Sequence, residues 1–202
     1  MNDLLLIFTK KPELGKCKTR LAKTIGDHRA LDIYEQLLDY TATFSTHVKA
    51  DKHVYFSKLY DDDTRWNDKQ FYKREQIDGD LGQKMKDAFL NSFQEGYSKV
   101  VIIGSDCAAI NEHDIHAAFQ ALSKNDAVIG PALDGGYYLL GMRQPIPSLF
   151  EDKNWSTTIL MDETIASLKQ GNHSYILLEK KSDIDYEEDL HRDSYIDFSS
   201  NE

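Results

Sequence analysis

A short basic segment near the start of the chain is the first candidate for chemistry. Positions 10 to 23 contain one acidic residue, Glu13, among six basic ones: Lys10, Lys11, Lys16, Lys18, Arg20 and Lys23. The whole chain, by contrast, carries a formal net charge of -10 at pH 7. Positive charge concentrated in this way is typical either of a solvated loop or of a site for a polyanion such as a nucleotide phosphate. Composition leaves both interpretations open.

The spacing of this segment differs from the two common phosphate-binding loops. Lys10 stands where a Walker A loop needs its first glycine, Cys17 stands where that loop needs serine or threonine, and the glycine spacing of a dinucleotide-binding turn is absent. In the arrangement that remains, Gly15 gives backbone clearance, while Lys18 and Arg20 supply charge at the start of a helix. The residues that we expect to contact phosphate are Thr9, Lys10, Gly15, Lys18 and Arg20.

A carboxylate follows the most clearly apolar strand segment of the chain. Residues 99–104 end in Gly104, and Ser105, Asp106 and Cys107 come next. A side chain at the carboxyl end of a central strand lies at the rim of the ligand cleft in open α/β sheets. Because Mg²⁺ binds through one or two carboxylates together with substrate phosphates, Asp106 is a candidate metal ligand. The alternative is an aspartate that caps a helix or a turn.

Two later segments offer further carboxylates, each with a structural alternative. Asp134 precedes Gly135 and Gly136, which permit either a tight hairpin turn or close approach of the backbone to a ligand. In the second case, Asp134 could bind a sugar hydroxyl or assist the metal. Asp185 either caps a short helix, with Glu188 placed as in a capping box, or turns a second carboxylate towards the metal. Both pairs of alternatives stay open at this point.

Apolar strand-like runs alternate with amphipathic stretches and must position these residues. We expect strands at 4–8, 53–57, 99–104, 127–130, 137–141 and 174–178. Helices are expected from Thr19, after Asp80 and from an Asn111 cap, with a break at Gly26. Such alternation is typical of βαβ units. We therefore predict an α/β fold, with one domain over residues 1–202 and three α/β/α layers around a mostly parallel mixed sheet.

Composition argues against several classes of function. A pI near 5.1 disfavours general nucleic-acid binding, which needs a broad basic face. No apolar run approaches the roughly 20 residues of a membrane span, and the first residues lack a signal-like segment. Cys17 and Cys107 are the only cysteines, too few for a disulfide framework or a zinc cluster. We expect a cytoplasmic protein with no nucleic-acid partner and no membrane span.

In their order along the chain, these segments resemble the bacterial DUF2064 family. The resemblance rests on Phe-Thr-Lys-Lys-Pro-Glu-Leu-Gly-Lys-Cys-Lys-Thr-Arg-Leu-Ala at 8–22, Gly-Ser-Asp-Cys at 104–107, Gly-Pro-Ala-Leu-Asp-Gly-Gly-Tyr-Tyr-Leu-Leu-Gly at 130–141, Trp-Ser-Thr at 155–157 and Asp-Ile-Asp at 183–185. That family is grouped with GT-A-type glycosyltransferases in the nucleotide-diphospho-sugar transferase superfamily. The chain is also similar, more distantly, to the molybdenum-cofactor and phospholactate guanylyltransferases.

The resemblance implies a GT-A-like transferase that depends on Mg²⁺ or Mn²⁺. Its expected partners are a nucleoside triphosphate or nucleotide sugar and a small-molecule acceptor. The implied catalytic residues are Lys18, Arg20 and Asp106, and the implied metal ligands are Asp106 and Asp185. The implied substrate contacts are Asp134, Gly135, Gly136 and Trp155. The density of basic charge favours nucleotidyl transfer, because a free triphosphate is more negative than a nucleotide sugar, whereas the superfamily favours glycosyl transfer.

Two positions depart from the family pattern. Ala108 stands where the family usually has proline after Ser-Asp-Cys, and Tyr186 stands where it usually has threonine after Asp-Ile-Asp. Neither departure removes a carboxylate, so ion binding is still expected. The departures leave a second hypothesis open, a non-catalytic regulator that binds a nucleotide without turning it over.

Overall fold

Strands and helices alternate along the chain, as the hydrophobic pattern predicts. The computed structural model describes residues 2–60, 63–192 and 195–198. The strands are β1 (Asp3–Thr9), β2 (Asp51–Phe56), β3 (Tyr72–Glu75), β4 (Lys99–Gly104), β5 (Ala127–Pro131), β6 (Tyr137–Met142) and β7 (Tyr175–Leu177). The helices are α1 (Thr19–Ile25), α2 (Asp27–Thr46), α3 (Leu81–Gln94), α4 (Glu112–Ala121) and α5 (Leu160–Gln170). Short 3-10 turns lie at Pro147–Leu149 and Glu187–His191.

Within the described residues, one mixed sheet contains the seven strands in the order β3-β2-β1-β4-β6-β5-β7. β1 pairs in parallel with both β2 and β4, whereas β6 runs antiparallel to β4 and β5. The carboxyl ends of the parallel strands therefore meet at one edge of the sheet. Because β6 is reversed, the loop between β5 and β6 returns to that same edge.

Helices cover both faces of the sheet, which confirms the predicted three layers. Along β1, Leu5 and Ile7 face α2 and α4 in one core cluster, while Leu4 and Leu6 face α3 and α5 in another. This division follows from the two-residue period of a strand, whose successive side chains point to opposite faces. Both faces of β1 are buried, as expected for a strand inside a parallel sheet.

The predicted helix signals are confirmed at three places. α1 begins at Thr19, and Gly26 separates α1 from α2 with a φ of 84°. Asn111 caps α4, because its side-chain oxygen accepts hydrogen bonds from the backbone N–H groups of His113 and Asp114. None of the helices within the described ranges is long and apolar enough to cross a bilayer.

Three elements differ from the sequence predictions, and one of them is α5, a helix that was not predicted. β3 was not predicted, because Tyr-Lys-Arg-Glu shows no apolar run; it forms the edge of the sheet against β2. Of the two alternatives for Asp185, the helix cap is not observed, because the cap of the following 3-10 turn is Tyr186. The Asp189 carboxylate accepts hydrogen bonds from the backbone N–H groups of Asp185 and Tyr186, which leaves the Asp185 carboxylate free to turn elsewhere.

Candidate functional site

A cleft of about 470 Å³ opens at the carboxyl edge of the sheet. The segments that line it are distant in sequence and include the loop after β1, the loop after β4, the loop between β5 and β6, the start of α3, residues 155–157, Asp183 and Asp185. Of the residues that the sequence predicts for the site, the lining includes Thr9, Lys10, Lys18, Arg20, Asp106, Asp134, Gly136, Trp155 and Asp185. The cleft is placed where open α/β sheets bind ligands.

The loop after β1 is folded so that Lys18 points inwards. The Cys17 thiol is buried and forms long contacts to the loop backbone, donating to the Lys11 carbonyl and accepting from the Glu13 N–H, both at 3.5 Å. Gly15 has a φ of 73°, and Lys18 itself has a φ of 48° at the cap of α1. A left-handed backbone is uncommon for a residue with a side chain, so the surrounding contacts must hold Lys18 in it.

Lys18 and Arg20 both meet carboxylates across the cleft. The Lys18 Nζ lies 3.0 Å from Asp106 Oδ1 and 3.7 Å from Asp185 Oδ1. The Arg20 Nη1 donates to Asp185 Oδ2 at 2.8 Å. The Lys18 side chain is 4% exposed, whereas those of Arg20 and Asp106 are about half exposed. Two of the predicted phosphate ligands, Lys18 and Arg20, therefore form one network of ion pairs with both predicted metal ligands.

The charge state of Lys18 follows from two opposed effects. Burial disfavours the ammonium and lowers its pKa, but the nearby carboxylates of Asp106 and Asp185 more than offset this and raise the pKa above its usual value. Lys18 is therefore positively charged at neutral pH, although it is almost entirely shielded from solvent.

Asp183 is a site residue that the sequence analysis did not single out. Burial and the neighbouring Asp106 carboxylate raise the pKa of Asp183 to about 7, although the Lys18 ammonium opposes the shift. Asp134 and Asp185 add further repulsion. The signal in the sequence that could have indicated Asp183 is the Asp-Ile-Asp motif. In the structure, Ile184 is 2% exposed and its N–H donates to the Asp106 carbonyl at 3.0 Å. That bond places the two flanking aspartates at the cleft.

Tyr34 is a second residue that sequence reasoning missed. It belongs to the buried stripe of α2, where a tyrosine gives no signal that separates it from the core. Its hydroxyl accepts a hydrogen bond from the Lys10 N–H at 3.0 Å, lies 3.1 Å from the Lys10 carbonyl and is 3.4 Å from Thr9 Oγ1. The Thr9 side chain is thus turned towards Tyr34, and the loop is fixed where it leaves β1.

The loop between β5 and β6 combines a turn with the edge of the cleft. Asp134 Oδ1 accepts a hydrogen bond from the Gly136 N–H at 2.9 Å, so this carboxylate also shapes the turn. Gly135 has a φ of 92°, and a Cβ there would lie 2.3 Å from the Thr158 carbonyl oxygen. Gly135 and Gly15 are outside the cleft lining, and both serve the backbone path of their loops.

Trp155 forms part of an apolar wall of the cleft. Its indole packs on the first turn of α3, where a Cβ on Gly82 would lie 2.4 Å from the ring. Met85 and Tyr137 belong to the same hydrophobic cluster as Trp155, and with Leu81 they line the cleft. The cleft therefore combines a charged network with an apolar wall.

Both cysteines border the cleft, but their environment is not that of a nucleophile. Burial raises the pKa of the Cys17 thiol and raises that of Cys107 to about 12. A thiol that stays protonated at neutral pH is a poor nucleophile. Their packing in the core that α2 and α4 share with the sheet agrees with a structural role.

A divalent cation would have few protein ligands here. Within the described residues, no group of three or more His, Cys, Asp or Glu side chains is arranged to hold a metal ion. Two carboxylates, Asp106 and Asp185, nevertheless converge on one positive charge, the Lys18 ammonium. Since Mg²⁺ is commonly held by one or two carboxylates plus substrate phosphates and water, this pair fits such an ion.

The two departures from the family pattern leave the carboxylates in place. Ala108 is 1% exposed and packs with Ile184 in a small core cluster beside the cleft. Tyr186 is 49% exposed at the start of the last 3-10 turn. Asp106 and Asp185, which adjoin these positions, both line the cleft.

Comparison with solved structures finds the same fold in several proteins. A protein from Desulfovibrio desulfuricans G20, provisionally described as a nucleotide-diphospho-sugar transferase, is 31% identical, with a TM-score of 0.84 over 92% of this chain and 84% of its own. The 4-diphosphocytidyl-2C-methyl-D-erythritol synthase of Anaerococcus prevotii DSM 20548 is 13% identical, with a TM-score of 0.56 over 93% and 92% of the two chains. A cytidylyltransferase of Leptospira borgpetersenii serovar Hardjo-bovis (strain JB197) is 13% identical, with a TM-score of 0.53 over 91% and 78%.

At 13% identity the last two likenesses concern the fold alone. None of the curated proteins compared with the chain matches it. Among family models, that of DUF2064, described as an uncharacterized protein conserved in bacteria, matches residues 40–157. This match spans more than half of the 202 residues and includes the Gly-Ser-Asp-Cys and Gly-Gly segments, which agrees with the resemblance in the sequence. The chain belongs to the DUF2064 family.

Proposed function

We propose that the chain is a transferase that binds a nucleoside triphosphate or a nucleotide sugar and moves a glycosyl or nucleotidyl group to a small-molecule acceptor. The observation that carries this proposal is the convergence of Lys18 and Arg20 on Asp106 and Asp185 in one cleft. Two cations that face two carboxylates suit a ligand that itself combines phosphate and metal. The provisional description of the Desulfovibrio relative supports the same class of reaction.

In this proposal, Lys18 and Arg20 bind the phosphates of the donor. Arg20 has a planar guanidinium that matches a phosphate group, and its half-exposed position lets it leave Asp185 when a ligand arrives. The Lys18 ammonium comes from the shielded side of the cleft, where an interaction with developing negative charge is stronger than in water. Both residues would stabilise charge that builds up on the phosphate oxygens during transfer.

Asp106 and Asp185 would hold the Mg²⁺ or Mn²⁺ ion that accompanies the nucleotide. When bound, such an ion supplies Lewis-acid stabilisation of the phosphate oxygens and orients the donor. The fit rests on two carboxylates that share one cation position and on the repulsion that the Asp183 carboxyl experiences from Asp106. Asp106 pairs with Lys18 in the absence of ligands and would hold the ion when it is bound.

The apolar wall formed by Leu81, Met85, Tyr137 and Trp155 would bind the uncharged part of the substrates. Asp134 and Gly136 border the cleft beside it and can offer polar contacts to hydroxyl groups. Exclusion of water by this wall would also limit hydrolysis of the donor. The cleft volume of about 470 Å³ is within the usual range for small-molecule sites.

A thermal-shift panel tests the proposal. The protein is heated with each common nucleoside triphosphate and nucleotide sugar, with Mg²⁺, with Mn²⁺ and with EDTA. Stabilisation by a nucleotide that requires the metal supports the proposal, because a ligand of the native state raises the melting temperature. If no nucleotide shifts the melting temperature, the proposal is wrong. For a nucleotide that does bind, pyrophosphate release with an added acceptor would indicate nucleotidyl transfer, and release of a nucleoside diphosphate would indicate glycosyl transfer.

The non-catalytic alternative makes a different prediction in the same experiment. A regulator would be stabilised by a nucleotide but would release neither pyrophosphate nor nucleoside diphosphate with any acceptor. The Ala108 and Tyr186 departures motivate this alternative, and both leave Asp106 and Asp185 at the cleft. Turnover by the protein would exclude it.

A further inference from the structure

The Lys18 ammonium lies where a cation would lie between Asp106 and Asp185. Its distances of 3.0 and 3.7 Å to the two carboxylates are those of a counter-ion that both share. We propose that Lys18 competes with the divalent cation for these carboxylates, so that metal and nucleotide bind cooperatively through Lys18. This inference rests on the proposed function, in which Lys18 binds phosphate and the carboxylates bind metal.

Because Lys18 is buried, displacing it by either ligand alone has a high free-energy cost. The Lys18 side chain is 4% exposed, and separating it from the carboxylates would leave a shielded charge without compensation. Removing one partner of a buried ion pair is strongly unfavourable for this reason. A metal ion alone would satisfy Asp106 and Asp185 but leave the ammonium only the Asp183 carboxyl nearby, with which it makes no ion pair among the described residues. A phosphate alone would satisfy the ammonium but add negative charge beside the carboxylates.

When both ligands bind, every charge finds a new partner. Asp106 and Asp185 would then hold the metal, and Lys18 would pair with the phosphate. Within the described residues, the Lys18 Nζ has no hydrogen-bond partner of good geometry, although it lies within salt-bridge distance of Asp106. Charge rather than aligned hydrogen bonds holds it, so it can turn towards an incoming phosphate by rotation of its flexible stem.

Arg20 does not explain this coupling equally well. It contacts Asp185 but makes no ion pair with Asp106 among the described residues, and its side chain is half exposed. Exposed ion pairs contribute little energy, because water replaces the lost partner. Lys18 is therefore the residue that links the two ligands.

The first experiment measures binding of Mn²⁺ alone, by electron paramagnetic resonance, to the wild type and to Lys18→Gln, Lys18→Arg and Lys23→Gln. Lys18→Gln removes the competing charge, and we expect it to bind Mn²⁺ about tenfold more tightly than the wild type, within the usual range of coupling between sites. Lys18→Arg retains the charge and is expected to bind Mn²⁺ with the affinity of the wild type. Lys23 is exposed on the same helix, so Lys23→Gln serves as the matched control. If Lys18→Gln leaves Mn²⁺ affinity unchanged or lowers it, the inference is wrong.

The second experiment uses the wild type and does not depend on the folding of any variant. Inorganic tripolyphosphate is titrated by calorimetry with excess Mg²⁺ and with EDTA. We expect binding to be at least about tenfold tighter with Mg²⁺. Equal affinities in the two conditions would overturn the inference. Failure of the proposed function is detected separately. In that case no nucleotide raises the melting temperature in the thermal-shift panel, whatever the Mn²⁺ affinity of Lys18→Gln.

Discussion

The charged residues of the cleft form a network in which each member depends on the others. Lys18 and Arg20 were predicted from their spacing in the basic loop, and Asp106 from its place after β4. The spacing did not predict that these side chains would meet one another. The sequence does not show how the roles of Asp183 and Asp185 differ, because the two aspartates flank the same isoleucine. Their orientation depends on the hydrogen bond from the Ile184 N–H to the Asp106 carbonyl, which is far away in the chain.

Substitution of Asp106 by asparagine tests the centre of this network. The change keeps the shape of the side chain but removes the charge that faces Lys18 and that would hold the metal. We expect Asp106→Asn to lose metal-dependent stabilisation by nucleotide and to reduce turnover by roughly 10²–10³, the usual effect of losing one preorganised electrostatic group. Asp68→Asn is the control, because Asp68 is 83% exposed and pairs only with Lys73 among the described residues. Metal-dependent nucleotide binding that survives in Asp106→Asn would contradict the assignment.

His53 predicts how the stability of the fold depends on pH. It is 6% exposed on β2, between the rings of Tyr72 and Tyr97. Burial, and to a smaller extent Arg74, lowers its pKa to about 4, while Glu95 and Asp51 oppose the shift. The unfolded chain takes up this proton near pH 6.5 and the native state does not. Neutral His53 therefore contributes its full share to the free energy of unfolding above pH 7. That share is lost as the pH falls from about 6.5 to 4.

Urea unfolding at pH 7 and pH 5 measures this contribution. The wild type is expected to lose on the order of 2 kcal/mol more stability between these values than His53→Leu, which cannot be protonated. The comparison removes the effect of the other titrating groups, which are common to both proteins. Equal losses in the two proteins would show that His53 is protonated in the native state at pH 5.

At the scale of the elements, the sequence predicted most of those with a clear hydrophobic period and missed the strand β3 and the helix α5. β4 and β6 were found nearly at their observed bounds, because buried parallel or central strands form continuous apolar runs. β3 was missed because it is an edge strand held by pairing with β2, and pairing between distant segments leaves no local pattern. The alternative of a capping box at Asp185 and Glu188 is not observed, because the box lies one residue further on, where the Asp189 carboxylate accepts a hydrogen bond from the Tyr186 N–H.

The packing of α3 against the segment that carries Trp155 gives a prediction at this scale. Gly82→Ala would normally stabilise a helix by up to about 1 kcal/mol. Here the new methyl group would lie 2.4 Å from the Trp155 indole, so the segment must move. We expect a net loss of about 1–3 kcal/mol in the free energy of unfolding, as for other overpacked sites, together with weaker substrate binding. Gly104→Ala is the control for stability, because apart from the adjacent residues no described atom lies within 4 Å of its added Cβ. Equal stability of the two variants would show that the indole yields freely.

For the molecule as a whole, the order and direction of the strands determine which loops lie at the same edge of the sheet. The sequence predicts which loops form the cleft only if an open α/β sheet is assumed first. The alternation of strands and helices indicated a layered α/β protein, and the observed sheet confirms it. The reversed direction of β6 has no sequence signal of its own. It brings the Asp134 loop to the same side as Lys18 and Asp106. Residues 183–185 then complete the cleft from a segment more than 160 positions beyond Lys18.

Ile184 ties this distant segment to the site, and its truncation tests whether the fold and the cleft are coupled. The side chain is 2% exposed and packs with Leu21, Ile33, Leu37 and Ala108. Ile184→Ala is expected to cost about 2–5 kcal/mol of unfolding free energy, because it leaves a cavity in that cluster. The same change should loosen the flanking aspartates and weaken Mg²⁺-dependent nucleotide binding at temperatures where the variant is fully folded. Ile176→Ala, at a 45% exposed position on β7, is expected to change neither property by a measurable amount. A destabilised Ile184→Ala protein that binds nucleotide and Mg²⁺ as tightly as the wild type would show that Asp185 is positioned by its ion pairs with Lys18 and Arg20, and not by the core beneath it.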